Sequence, residues 1–219
     1  MFHVEHERVL REFLVTSTHG LGIDLTDQQI KQFLVYLSQL LTWNQTINLT
    51  SITDPYEVIS KHFVDSLTGL TAFSFPFQGI VIDVGSGAGF PGIPLKIVRR
   101  DLQLVLIEPS QKKCSFLHSI IGALKLDQVT IYPGELQQYA ADETRSPVDV
   151  MVVRALRVDD IAETAALILK PAGHLLLYRT DRAMGGLSTA FQVESHHDFS
   201  LPKDKGTRVV TVLAKVASA

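Results

Sequence analysis

Two hydrophobic periodicities divide this chain. Between residues 26 and 43 the apolar positions Ile30, Phe33, Leu34, Leu37, Leu40 and Leu41 fall on one face at helical spacing, the stripe of an amphipathic helix. Thr26 and Gln29 at its start have capping-box spacing. Residues 1–19 read as another short helix. After a turn near Asn48, Asp54-Pro55 is a start signal for a helix running toward Leu70. The pattern therefore predicts a helical subdomain over 1–72 and a linker over 73–79, which contains Pro76.

From residue 80 the pattern changes. Short apolar runs at 80–84, 103–108, 129–132, 149–153 and 173–179 alternate with helix-compatible segments at 92–100, 111–124 and 158–169. Such alternation predicts βαβ units and a mainly parallel sheet covered on both faces. The runs at 191–199 and 208–216, joined by the turn-rich 201–206, predict a terminal hairpin whose last strand enters the sheet antiparallel.

The first of these strands ends in glycines at alternate positions, Gly85, Gly87 and Gly89. Glycine is required where a backbone turns sharply and approaches a ligand with no Cβ in the way. Strand, glycine turn and helix N-terminus together build a cradle for a nucleotide cofactor. Gly87, Gly89 and Gly92 satisfy GxGxxG in a shifted register, and Glu108 closes the second strand about 20 residues on, where its carboxylate would accept from ribose hydroxyls. Dinucleotide domains and S-adenosylmethionine (SAM) domains share both features.

Three features tilt the reading toward SAM. Asp83 places a carboxylate where it reaches the amino-acid end of that cofactor, directly or through water, and where a pyrophosphate would be repelled. Pro91 and Pro94 suit the first helical turn after a broader loop. The terminal hairpin is the third. The expected fold is α/β: a class I SAM-dependent, Rossmann-like methyltransferase sheet over 73–219 with an antiparallel C-terminal hairpin, preceded by the helical subdomain. The blander readings are a helix cap for Asp83 and a surface carboxylate for Glu108.

Other charges cluster at strand ends. Arg154 follows the apolar run 149–153, where open α/β sheets place their crevice. A guanidinium there would hold a cofactor carboxylate or a substrate phosphate bidentately. Arg179 ends the fifth strand in the same way, with Arg157 and Arg182 nearby. Lys112 and Lys113 follow Ser110 in the first turn of a helix, where cations oppose the helix dipole. That placement suggests contact with RNA phosphate, against a solvated face as the alternative. His62 has i, i+3 spacing to Asp65, which suggests a local pair, capping or packing, or else a crevice wall. His196-His197 reads as exposed rather than metal-binding.

The bulk numbers exclude several classes. With one cysteine, Cys114, the chain has no disulfide framework and no cysteine-rich zinc site. No signal-peptide pattern and no apolar run of membrane-spanning length is visible, so a cytoplasmic, soluble protein is expected; the oligomeric state is open, with a monomer as the expectation. The net charge of −3 is not that of a free-standing nucleic-acid binder. Residues 1–79 carry 4 Lys+Arg against 8 Asp+Glu, and residues 80–219 carry 16 against 15, so any RNA contact must use a local basic patch.

Several segments together resemble one family, the small-subunit rRNA guanine-N7 methyltransferases of the RsmG (GidB) type. They are WNQTINLTSI (43–52), KHFVDSL (61–67), IDVGSGAGFPGIPLKI (82–97), LIEPSQKKCSFLH (106–118) and VVRAL (152–156). The resemblance runs from about residue 24 to the last strand. It implies methyl transfer from SAM to N7 of one guanine in 16S rRNA, in the context of the small ribosomal subunit.

By matching position, Gly85 and Phe90 would line the cofactor pocket. Leu136 and Gln137 would lie against the adenine, and Asp83 and Glu108 are the usual carboxylates. Arg154 matches the arginine at the junction of cofactor and substrate, and is the residue expected to orient them. Arg179 stands where the family commonly has lysine. The family's usual Arg-Ala-Glu is replaced here by Glu135-Leu136-Gln137.

The implied chemistry needs no general base, because N7 of guanine carries a free lone pair. Alignment at near-attack distance is the protein's main task. An NAD-dependent oxidoreductase and a non-catalytic SAM-binding module are the alternatives.

Overall fold

The computed structural model describes residues 2–182, 188–204 and 206–216. Its sheet has seven strands in the order β3-β2-β1-β4-β5-β7-β6. These are β1 (Ile80–Val84), β2 (Gln103–Ile107), β3 (Val129–Tyr132), β4 (Val148–Arg154), β5 (Leu169–Arg179), β6 (Phe191–Ser200) and β7 (Thr207–Lys215). The first five run parallel, and β7 lies antiparallel between β5 and β6. The chain leaves β1 toward β2 and β3, then returns to β1's other side with β4. That reversal opens a crevice at the C-terminal ends of β1 and β4.

Alternate residues of each strand face opposite sides, and both sides are buried. Val81, Leu104, Val150 and Val152 face one core. Ile82, Val84, Met151 and Val153 face the other, against α8 (Ala162–Ile168). Asp83 therefore lies on the Val81 side, beneath α5 (Gly92–Val98).

The first core continues into the N-terminal helices α1 (Phe2–His19) and α2 (Asp27–Asn44). Thr26 and Gln29 close both bonds of the predicted capping box. Phe33 of the α2 stripe, with Tyr36, which the stripe does not include, packs against Phe63, and the Tyr36 ring lies 5.2 Å from that of Phe90. Tyr36 Oη donates to the Ala88 carbonyl at 2.5 Å. The helical segment thus holds the glycine loop from outside the sheet.

The predicted helix from Pro55 is a composite of α3 (Pro55–Val58), a π-helical segment (Ile59–Val64) and α4 (Asp65–Ala72). A wider π turn leaves no simple sequence period, and such turns are frequent at functional sites. β5 starts at Leu169, four residues before the predicted run at 173, and α8 is correspondingly short. Pro171 lies where β4–β5 pairing is irregular, between the Val148↔Leu169 and Val150↔His174 partners, which tolerates its missing N–H. α6 (Gln111–Leu124) matches the predicted span, whereas α7 (Leu136–Ala140) has only five residues, too few for periodicity to reveal.

Candidate active site

The glycine loop follows β1 with Gly85, Gly87 and Gly89 at φ of 68°, 60° and 94°. These are left-handed values that L side chains adopt only under strain. Two carboxylates secure the loop. Asp83 Oδ2 accepts from Gly92 N at 2.8 Å. Glu108 Oε2 accepts from Gly87 N at 2.8 Å, and its Oε1 from Ser110 N at 2.9 Å.

Asp83 is fully buried, and its Oδ1 has no hydrogen-bond partner. It caps α5, the blander sequence reading, and does not face open solvent. Burial pushes its pKa up to about 7, opposed by the Gly92 bond and Arg154.

Arg154, the last residue of β4, is held by the π segment. Its Nη1 donates to Lys61 O at 3.2 Å and Asp65 Oδ2 at 3.3 Å, and lies 3.3 Å from His62 Nδ1. Its guanidinium carbon sits 5.2 Å over the Phe90 ring, whose neighbour His62 stacks on it at 4.6 Å and 15°. His62 Nε2 is 2.8 Å from Thr50 Oγ1. The expected local His62–Asp65 pair is replaced by a bridge through Arg154. His62 occupies both ring nitrogens on Thr50 and Arg154, while Asp65 meets Arg154 and Arg208.

Burial and the Arg154 charge push His62 down to about 3, so it is neutral at physiological pH. Burial pushes the Asp65 carboxyl up, and the two arginines pull it partly back.

A cavity of about 510 Å³ opens beside this cluster. Lys61, Arg154, Arg157, Arg179 and Arg208 line it, against Asp65 and Asp181. Leu156 also lines it, and a Cβ built on Gly85 would come within 3.1 Å of Leu156 Cδ1. That side chain thus borders both the glycine loop and the cationic cavity.

The remaining predicted residues are dispersed. Phe90 is buried in the ring stack and Leu136 in the second core. Gln137 is exposed, with its amide donating to Asp160 O at 3.4 Å. Glu135 is the N-cap of α7, with Gln138 completing the capping box. The Glu135 backbone N–H donates to Gln138 Oε1 at 2.9 Å.

Lys112 is exposed and Lys113 half-buried at the start of α6, and neither lines the cavity. Arg157 pairs with Asp159, and Arg182 pairs with Asp198. His196 and His197 are half-buried and bonded to hydroxyls of Thr211 and Ser195, and no metal-binding cluster occurs among the described residues. Lys61, Tyr178, Asp181 and Arg208 are cavity residues that sequence reasoning missed, and Arg208 is the most remote of them in sequence. It follows Gly206-Thr207 at a strand start and carries no local motif.

The residues suit SAM. The loop backbone is free of side chains at Gly85 and Gly87, Glu108 stands at the end of β2 as an acceptor, and Asp83 Oδ1 is an unpartnered acceptor beneath the loop.

The two shifted groups give opposing pH dependences. Asp83 binds its proton more tightly folded (about 7) than unfolded (3.8), so its contribution to stability is full below about pH 4 and lost as pH rises through 7. His62 binds its proton less tightly folded (about 3) than unfolded (6.5), so its contribution is full above 6.5 and lost as pH falls toward 3. Each can contribute a slope of up to about 1.4 kcal/mol per pH unit. Relative to wild type, Asp83→Asn is expected to lose stability between pH 7 and pH 5, and His62→Gln to gain it. Denaturant titrations of the three proteins across that interval check this; parallel profiles would refute it.

Residues 29–208 match the family described as rRNA small subunit methyltransferase G (GidB). The ribosomal RNA small subunit methyltransferase G of Lachnoclostridium phytofermentans is 33% identical over 92% of this chain and 88% of its own length. That of Staphylococcus saprophyticus is 33% identical over 91% of this chain and 86% of its own. Among solved structures, TrmN from Thermus thermophilus superposes with a TM-score of 0.58 at 14% identity, over 72% of this chain and 53% of that one. MtNAS in complex with MTA and tNA gives 0.59 at 14% identity, over 94% and 85%. These two likenesses show the fold, and the sequence relatives show more: the chain belongs to the rRNA small subunit methyltransferase G (GidB) family.

Proposed function

We propose that this protein transfers a methyl group from SAM to N7 of one guanine in 16S rRNA of the small ribosomal subunit. The observation that carries the reading is the crevice between β1 and β4. A loop with glycine at three alternate positions stands on one side, and Arg154, beside a cationic cavity, stands on the other.

In this reading Gly85, Gly87, Gly89 and Phe90 form the cofactor wall, with Glu108 receiving hydroxyls. Asp83 acts through the loop it caps, and Leu136 and Gln137 contribute by their backbone. When bound, SAM supplies an electrophilic methyl on a sulfonium. Guanine N7 attacks with a lone pair, so the protein has no proton to remove at that atom. Arg154 orients the reactants, and the stack beneath it keeps its guanidinium in place. Orientation of this kind supplies several kcal/mol.

The cavity arginines, Arg179 among them, would take RNA phosphates, with Lys112 and Lys113 extending that surface. Residues 1–72 serve as the helical subdomain that braces the loop, and 73–219 as the SAM-dependent methyltransferase domain. The protein acts as a cytoplasmic monomer. No helix among the described residues is long and apolar enough to cross a membrane.

The dinucleotide alternative is disfavoured by the loop itself. The amides of Gly87 and Gly92, which would receive a pyrophosphate, are already bonded to Glu108 and Asp83. The Glu108 carboxylate at that point repels a further anion. A non-catalytic SAM module would have no use for three acceptors converging on Arg154.

The test is transfer from labelled SAM to small subunits lacking the modification, with the site mapped by cleavage at N7-methylguanine. One labelled 16S guanine is expected. SAM binding without transfer would support the non-catalytic module, and NADH binding without SAM binding would support the oxidoreductase.

A further inference from the structure

We propose that Asp65 is a positioning residue that couples Arg154 to Arg208, so that the two guanidiniums grip one phosphate of the RNA substrate. This rests on the methyltransferase reading above. Asp65 opens α4 and is only 2% exposed, so it touches no substrate itself. Its two oxygens divide between two strands. Oδ2 lies 3.3 Å from Arg154 Nη1 on β4, and Oδ1 lies 3.4 Å from Arg208 Nε on β7.

Two guanidiniums this close repel each other, and a carboxylate between them removes the repulsion and sets the direction of each fork. Among the described residues, Arg154 is bonded only through Nη1, whereas Arg208 is bonded through Nη1 to Thr207 O and ion-paired through Nε with Asp65 Oδ1, which accepts no hydrogen bond. Arg154 Nε and Nη2 and Arg208 Nη2 are thereby left to donate to a ligand. Both residues line the same cavity. One carboxylate against two guanidiniums leaves a net positive charge, which calls for an anion.

The cofactor is a poor candidate for that anion, because neither the glycine loop nor Glu108 lines this cavity. A phosphodiester, with two oxygens that accept from both forks, fits. The Arg208 end of the hairpin is also anchored. Lys203 Nζ, at the β6–β7 turn, sits 4.1 Å over the Tyr56 ring and 4.6 Å over that of Phe13.

The test is a double-mutant cycle in the full-length protein, with unmodified small subunits and labelled SAM. Asp65→Asn and Arg208→Gln are each expected to lower kcat/KM for subunits by roughly 10- to 50-fold, with SAM affinity within about twofold of wild type. The double variant should be no worse than the poorer single one, because the two residues act as a unit. The slope of log kcat/KM against log salt should flatten by about one in both singles, as one phosphate contact is lost.

Multiplicative losses, or SAM affinity falling in step with transfer, would overturn the proposal. Should Asp65→Asn fail to fold, Arg208→Gln decides alone: wild-type kcat/KM and salt slope would overturn it. Absence of transfer by the wild-type protein would instead overturn the functional reading itself.

Discussion

Arg154→Ala is expected to lower methyl transfer by about 10³-fold while leaving the protein folded. The side chain is 21% exposed and stands at the end of β4, so its removal opens no void in either core. Its stability cost comes from three acceptors that lose a donor, Lys61 O, His62 Nδ1 and Asp65 Oδ2, and from the lost contact with the Phe90 ring. Asp65 keeps Arg208 as its partner. A loss of about 1–3 kcal/mol follows, a shift of several degrees in Tm.

The effect on transfer is larger because Arg154 orients the reacting groups. A misplacement of about 1 Å costs on the order of 100-fold. Losing a charge-assisted contact worth about 1.5–3 kcal/mol costs roughly tenfold or more again. Arg154→Lys is expected to recover less than tenfold of this, since an ammonium cannot reproduce the fork bonded to the π segment on one side and free toward the crevice on the other. Single-turnover rates with saturating SAM and subunits, beside melting curves, check both variants. A rate within threefold of wild type for Arg154→Ala would remove the residue from its assigned role.

What could be read in the sequence was local. The β1 run, its three glycines and Glu108 lie within one βαβ unit, and the α2 cap lies within four residues. Each signal is complete in a short window. The parallel sheet followed from element alternation and the antiparallel entry of β7 from the terminal hairpin, whereas the strand order came only with the structure.

The parts that escaped were those closed over long separations. His62 and Asp65 were visible as a pair at helical spacing, yet their common partner lies 89 residues beyond Asp65. Arg208 comes to the same carboxylate from the final strand. Asp83 illustrates a different limit. A carboxylate before a glycine turn suits a ligand contact and a helix cap equally well by spacing. Only the register of β1, which turns residue 83 inward beneath α5, separates the two. The departure at Glu135 likewise became intelligible only once α7, five residues long, showed it to be a cap.

Gly89→Ala is expected to be the most damaging single methyl group added to the loop. At φ 94° an L side chain is strained whatever the space around it, at about 1–2 kcal/mol. Here there is also no space. The added Cβ would stand 2.5 Å from Ile93 Cδ1 and 2.8 Å from Tyr36 Oη. Neither neighbour can yield. Ile93 and Tyr36 are both fully buried, and Tyr36 is stacked on Phe90 and bonded to Ala88 O.

Overpacking of this kind adds about 1–3 kcal/mol, for a total near 2–5 kcal/mol and a fall in Tm of roughly 10 °C. Relief by moving the loop would break the Tyr36–Ala88 bond and shift Gly85 and Gly87, so SAM affinity should fall at least tenfold. Gly122→Ala is the control. A Cβ there meets nothing within 4 Å, and the residue lies in α6. It should raise stability by up to about 1 kcal/mol and leave SAM binding unchanged. Melting curves and SAM titrations of the two variants separate strain at the loop from a general effect of added methyl groups. A Gly89→Ala protein that melts within 2 °C of wild type and binds SAM as tightly would show that the loop's shape does not depend on this residue.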